Sequence, residues 1–99
     1  MNKKIDISEH HYNLLCKLLA EHIPDIHVWA YGSRINGTAR SHSDLDLVVF
    51  LPPDQQKKIF QLREAFEESD LPFRIDLHRW DELPSTFHRT IEVHYIVLQ

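Results

Sequence analysis

Three aspartates and one glycine-serine pair carry the chemistry that this sequence offers. Asp44 and Asp46 stand two apart in "DLDLVVFL" (Asp44 to Leu51), the strongest predicted strand of the chain. Alternate residues of a strand leave the same face, so the two carboxylates are expected side by side. Like charges that close repel, and one stays protonated unless a cation joins them. A hard divalent cation such as Mg²⁺ resolves the conflict with oxygen ligands and keeps positions open for phosphate oxygens. Asp76 lies on the polar side of a second, cleanly alternating run, "FRIDLHR" (Phe73 to Arg79), in mid-strand where Asp has poor propensity. If the two strands are neighbours, three acids meet at one place. Three carboxylates are what a two-metal phosphoryl-transfer site needs.

The stretch before the first two acids supplies the complement. "GSRINGTARSHSDLDL" holds both glycines of the chain. A Gly32-Ser33 turn leaving a strand lets backbone N–H groups and a hydroxyl approach a phosphate closely. Arg34 and Arg40 could add positive charge to a triphosphate tail. One loop would hold phosphates and the strand after it would hold metal.

The elements that position these groups can be read from periodicity. Ser8 is a predicted helix cap, and Leu15, Leu18, Leu19 and Ile23 form one apolar stripe on a helix running to about His22. "HVWAY" (His27 to Tyr31) reads as a short strand. A brief helical turn follows near Arg34 to Gly37. "DLDLVVFL" turns wholly apolar after its start, as expected of a strand covered on both faces. Asp54 is the expected cap of a second helix to about Glu68, with Ile59, Leu62 and Phe66 inward. In "FRIDLHR", Phe73, Ile75 and Leu77 face one way, and Arg74, Asp76 and His78 the other. A last helix begins near Pro84 or Ser85, and the state of the apolar tail "YIVLQ" is open. The order is that of an α/β fold, a small sheet flanked by helices. The span from Tyr31 to Asp44 is mostly irregular, and such loops in compact domains are usually functional or disordered.

Composition narrows the function classes. The chain has 99 residues, 42% hydrophobic and 26% charged, with a formal net charge of -4, and one domain over residues 1–99 is expected. Such a chain has a modest core and little room for a separate recognition module, so any substrate is small or a partner completes the site. The negative charge and the lack of a basic run argue against direct nucleic-acid binding. The single Cys16 excludes an internal disulfide and fits a reducing cytoplasm. Eight histidines are scattered without metal-ligand spacing, so no zinc cluster is expected. No apolar stretch follows the amino-terminal lysines and no run is long enough to cross a membrane, so neither signal peptide nor anchor is expected. Trp29 and Trp80 are expected to pack, and His78 to be a neighbour of Asp76.

Ten residues separate Ser33 from Asp44, and this spacing resembles the GS-x10-DxD signature of the nucleotidyltransferase superfamily that includes DNA polymerase β. Gly37, Ala39 and Ser43 also match, and "RIDLHR" resembles the third carboxylate strand of that family. The short chain and "WDELP" look like the minimal nucleotidyltransferase (MNT) proteins. The resemblance covers about Trp29 to Pro84. It implies a nucleotidyltransferase fold in which Gly32, Ser33, Arg34, Arg40 and Ser43 bind the nucleotide. Asp44, Asp46 and Asp76 would be the catalytic acids and the ligands of two Mg²⁺ ions. ATP would be the substrate and AMP the group transferred. The resemblance further implies a HEPN-domain RNase toxin as partner, with a tyrosine as acceptor and this chain as cytoplasmic antitoxin. The alternatives are a non-catalytic antitoxin that masks its partner, or a transferase for a small molecule such as an aminoglycoside. A homodimer is also compatible with the small core and apolar tail.

Overall fold

A computed structural model describes residues 5–99 of the chain. Residues 1–4, with the lysines on which the leader reading turned, lie outside the described residues. The elements run α1 (Glu9–His22), β1 (Val28–Tyr31), α2 (Ser33–Asn36), β2 (Leu45–Val49), α3 (Gln56–Glu67), β3 (Ile75–Arg79), α4 (Ser85–Val93) and β4 (Ile96–Val97). The strands form one mixed sheet in the order β3-β2-β1-β4. β2 and β3 are parallel, while β1 runs antiparallel to both β2 and β4. The chain is therefore α/β, as its patterning predicts.

Local signals explain most of these boundaries. The Ser8 side chain accepts the N–H of His11 at 3.2 Å, closing the start of α1. The expected cap at Asp54 is not formed. Asp54 sits inside a 3₁₀ turn (Pro53–Gln55), and α3 starts one residue later without a side-chain cap. Pro53 fixes its own φ and starts the tighter turn first. The tail, unreadable from sequence, becomes an edge strand. Leu98 N–H donates to the Val28 carbonyl at 2.8 Å, and the Gln99 side chain donates to the carbonyls of Ile23 and Ile26.

Strand alternation gives the sheet two unlike faces. One face carries Val28, Ala30, Leu45, Leu47, Val49 and Leu77. It packs on Leu15 and Leu19 of α1 and on Ile59, Leu62 and Phe66 of α3, forming the main core. The other face carries Tyr31 and Val48, covered by Ile91 of α4 and by Trp29, Phe50, Trp80 and Leu83. Here Trp80 stacks on His88 with centroids 3.8 Å apart, and Trp29 on Tyr95 at 3.9 Å. Both tryptophans pack, as expected. The second face is only partly covered, and its uncovered end holds Asp46, Asp76 and the turn after β1. Among the described residues no helix is long and apolar enough to cross a membrane.

Leu62 is fully buried in the main core, whereas its neighbour Phe60 is 60% exposed. Leu62→Ala should cost about 2–5 kcal/mol in urea unfolding, and Phe60→Ala less than about 0.5 kcal/mol.

Candidate active site

Register brings the predicted acids together. Tyr31 pairs with Asp46 across β1 and β2, and Asp46 pairs with Asp76 across β2 and β3. Residues directly paired in a sheet point to one face, so these three side chains form a row on the α4 side. The two strands carrying the acids are thus neighbours, the condition on which their meeting depended. Burial first, and then the negative charges of Asp76 and Asp44, push the Asp46 carboxyl up to about 6, while His78 opposes them. Burial also raises the Tyr31 phenol, followed by the charges of Asp46 and Asp76. Its hydroxyl therefore stays a hydrogen-bond donor beside two acceptors. His78 Nε2 lies 3.2 Å from Asp76 Oδ1, the neighbour relation its strand position predicts.

Asp44 is the acid that the structure places apart. It precedes β2 and turns to Arg74, with Nε 3.6 Å from Oδ2 and both side chains well exposed. Among the described residues no group of three His, Cys, Asp or Glu side chains stands together as a metal site. The expected meeting is thus a pair, Asp46 with Asp76, with Asp44 close enough to act on Asp46 electrostatically. The reason is local: Arg74 offers Asp44 a counter-charge across the strand starts. An exposed pair of this kind is worth about 0–1 kcal/mol, so it is easily exchanged.

Gly32 is required by this geometry. Its φ is +88°, and a Cβ there would collide with Asp46 Oδ2. Its backbone lies against the acid pair, and its carbonyl accepts the N–H groups of Ile35 and Asn36 at 3.0 Å each. Ser33 opens α2 beside it. Gly32 and the acid pair border a cleft of about 650 Å³ lined by Tyr31, Gly32, Asn36, Asp46, Asp76 and His78 on one wall and by Phe87, Thr90, Val93 and His94 on the other, with Ser33 outside its lining. That second wall was not expected from the motif. The i, i+3 spacing of Phe87 and Thr90 is the sequence signal that these two share a helix face, and His94 follows just past the end of α4.

Arg34 is a correction to the expected phosphate group. It is only 7% exposed. Its guanidinium donates to the carbonyls of Ser43, Asp6 and Ser41 at 2.8–3.3 Å and lies 4.5 Å over the Phe73 ring. It is absent from the cleft wall. A buried guanidinium must satisfy its donors, and the loop carbonyls do so before any phosphate arrives. Ser43 is likewise engaged in the loop: its hydroxyl accepts the Arg40 N–H at 2.8 Å. The Arg40 side chain stands exposed.

Two outcomes follow. With no divalent metal present, Asp46 has a folded-state pKa above its ordinary 3.8. Its contribution to stability is therefore full below about 3.8 and lost as pH rises through about 6. Asp46→Asn should stabilise the fold at pH 7 and lose that advantage by pH 4, read from urea midpoints. Arg34→Lys should cost about 2 kcal/mol in the same assay, because a lysine cannot serve the same set of carbonyls. A change in nucleotide affinity without loss of stability would contradict the bracing role.

Comparison with known proteins bears on the family and the fold. The family described as nucleotidyltransferase domain matches residues 13–98. The chain is 38% identical over 103 residues to the probable protein adenylyltransferase MntA of Haemophilus influenzae, covering 97% of this chain and 85% of that one. It shares its fold with a protein solved as a crystal structure of a toxin-antitoxin with AMP-PNP, at a TM-score of 0.63 and 21% identity, over 89% of this chain and 72% of that chain. With most of its length matched by that domain, and with so similar a relative, the chain belongs to the nucleotidyltransferase family.

Proposed function

We propose that this nucleotidyltransferase moves AMP from ATP to a hydroxyl, a tyrosine above all, of a HEPN-family RNase toxin, and so acts as its antitoxin in the cytoplasm. The observation that carries the reading is the Asp46–Asp76 pair in register on adjacent parallel strands, with the Gly32 backbone packed against Asp46. The similarity to a probable protein adenylyltransferase supports a protein acceptor. The likeness of fold to a toxin-antitoxin with AMP-PNP is in keeping with it.

The donor set fits a hard divalent cation. It is all carboxylate oxygen, and the crowding that raises Asp46 is relieved by positive charge. Asp46 and Asp76, with Asp44 released from its weak pair with Arg74, would hold Mg²⁺. Bound there, two such ions would screen phosphate charge and make the acceptor hydroxyl more acidic. The remaining roles belong to the chain. Backbone N–H groups at the Gly32-Ser33 turn, with the Ser33 hydroxyl, hold the β- and γ-phosphates. Asp76 receives the proton of the acceptor hydroxyl. The freed oxygen bonds to the α-phosphorus as the bond from that phosphorus to the bridging oxygen breaks, and pyrophosphate leaves.

Incubating the protein with the toxin, ATP and Mg²⁺ should add one or more AMP masses to the toxin. Asp46→Asn and Asp76→Asn should slow that addition by on the order of a hundredfold or more. If no mass is added while the wild type and Asp44→Asn both still neutralise the toxin, the protein masks its partner by contact and the transfer reading fails.

A further inference from the structure

β3 is an edge strand of the sheet, so Asp76 stands at a rim. The row from Tyr31 through Asp46 to Asp76 runs outward to that rim. Beyond it lies a second groove of about 380 Å³, between α3 and the outer side of β3. Phe66, Leu71 and Phe73 give it apolar surface, and Arg63, Glu67 and Arg74 are its charged lining. Asp76 and His78 line this groove and the nucleotide-side cleft alike. The two spaces therefore meet at the third acid.

The backbone of β3 is turned to receive a chain there. Leu45 N–H donates to the Arg74 carbonyl at 2.9 Å. In a parallel pair this directs the backbone groups of Arg74, Asp76 and His78 toward β2, and those of Ile75, Leu77 and Arg79 outward. The Leu77 carbonyl is met by Arg63 Nη2 at 2.8 Å and the Arg79 N–H by Glu82 Oε1 at 3.0 Å. The N–H and carbonyl of Ile75 and the N–H of Leu77 have no such partner among the described residues. An open edge of this kind binds an extended segment through main-chain bonds, with side-chain pockets giving selectivity.

We infer that this groove is the acceptor subsite: an extended segment of the partner protein lies along the outer edge of β3, seated on Phe66, Leu71 and Phe73, and its hydroxyl reaches over the strand to Asp76. This rests on the proposed transfer to a protein. In-line displacement requires the nucleophile to approach opposite the leaving group. With the phosphate tail at Gly32, the side beyond Asp76 is the one left for the acceptor. Glu67 is exposed, lines the groove and has no part in the acid site, so it is the place to obstruct it.

Glu67→Trp should lower AMP transfer to the toxin by on the order of a hundredfold, while affinity for a fluorescent ATP analogue and the melting temperature stay at wild-type values. Transfer by Glu67→Trp at the wild-type rate overturns the inference. A photo-crosslinking phenylalanine analogue placed at position 67, and separately at position 97 on β4 at the opposite edge, reads docking without chemistry. A toxin crosslink from position 67 supports the groove even if the wild type transfers nothing, which would sink the transfer reading alone. A crosslink from position 97 only, or from neither, overturns the groove.

Discussion

The pairing of Asp46 with Asp76 sets the terms for everything around it. Neighbouring carboxylates repel by on the order of a few kcal/mol at the effective dielectric of a protein surface, and partial burial raises the penalty on Asp46. Nothing in the acid pair itself favours its assembly. It is held by what lies on the other side of the same strands. Leu45, Leu47 and Val49 of β2 and Leu77 of β3 are buried in the main core. Slipping the register by one residue to separate the acids would bring those side chains out of it. Hydrophobic burial on one face thus enforces charge crowding on the other.

The loop between β1 and β2 answers to the same constraint. Its residues after α2 form little regular structure, yet it must keep Gly32 pressed against Asp46. Arg34 does this from within. One guanidinium ties Ser41, Ser43 and Asp6 together through their carbonyls and rests on Phe73. A cation satisfied by carbonyl dipoles and an aromatic face ties the loop to the rest of the fold. It also leaves Arg34 unsuited to the phosphate role that its place beside Ser33 suggests.

The division of the sheet into a packed face and a partly open one also explains how so short a chain can hold a reactive site. α1 and α3 supply the core, while α4 and the Trp29, Phe50, Trp80 and Tyr95 cluster cover part of the second face. The uncovered end of β2 and β3 becomes the cleft. Its far wall is α4, and its rim is the edge strand β3.

Local chemistry determines much of this. Ser8 capped α1 because its hydroxyl serves a nearby N–H of the first turn. Alternation in Phe73–Arg79 put Ile75 and Leu77 inward and Asp76 outward, because a pleated strand permits nothing else. The Ser33-to-Asp44 spacing pointed to the family by its resemblance to a known signature. Other features depend on contacts distant in sequence. β4 is two residues long, too short to have a period, and exists because β1 offers it an edge. Asp44 turned from the acid pair to Arg74, and Arg34 from its expected phosphate to the carbonyl of Asp6, because charged groups take the nearest partner in space. Only the tertiary structure decides which partner that is.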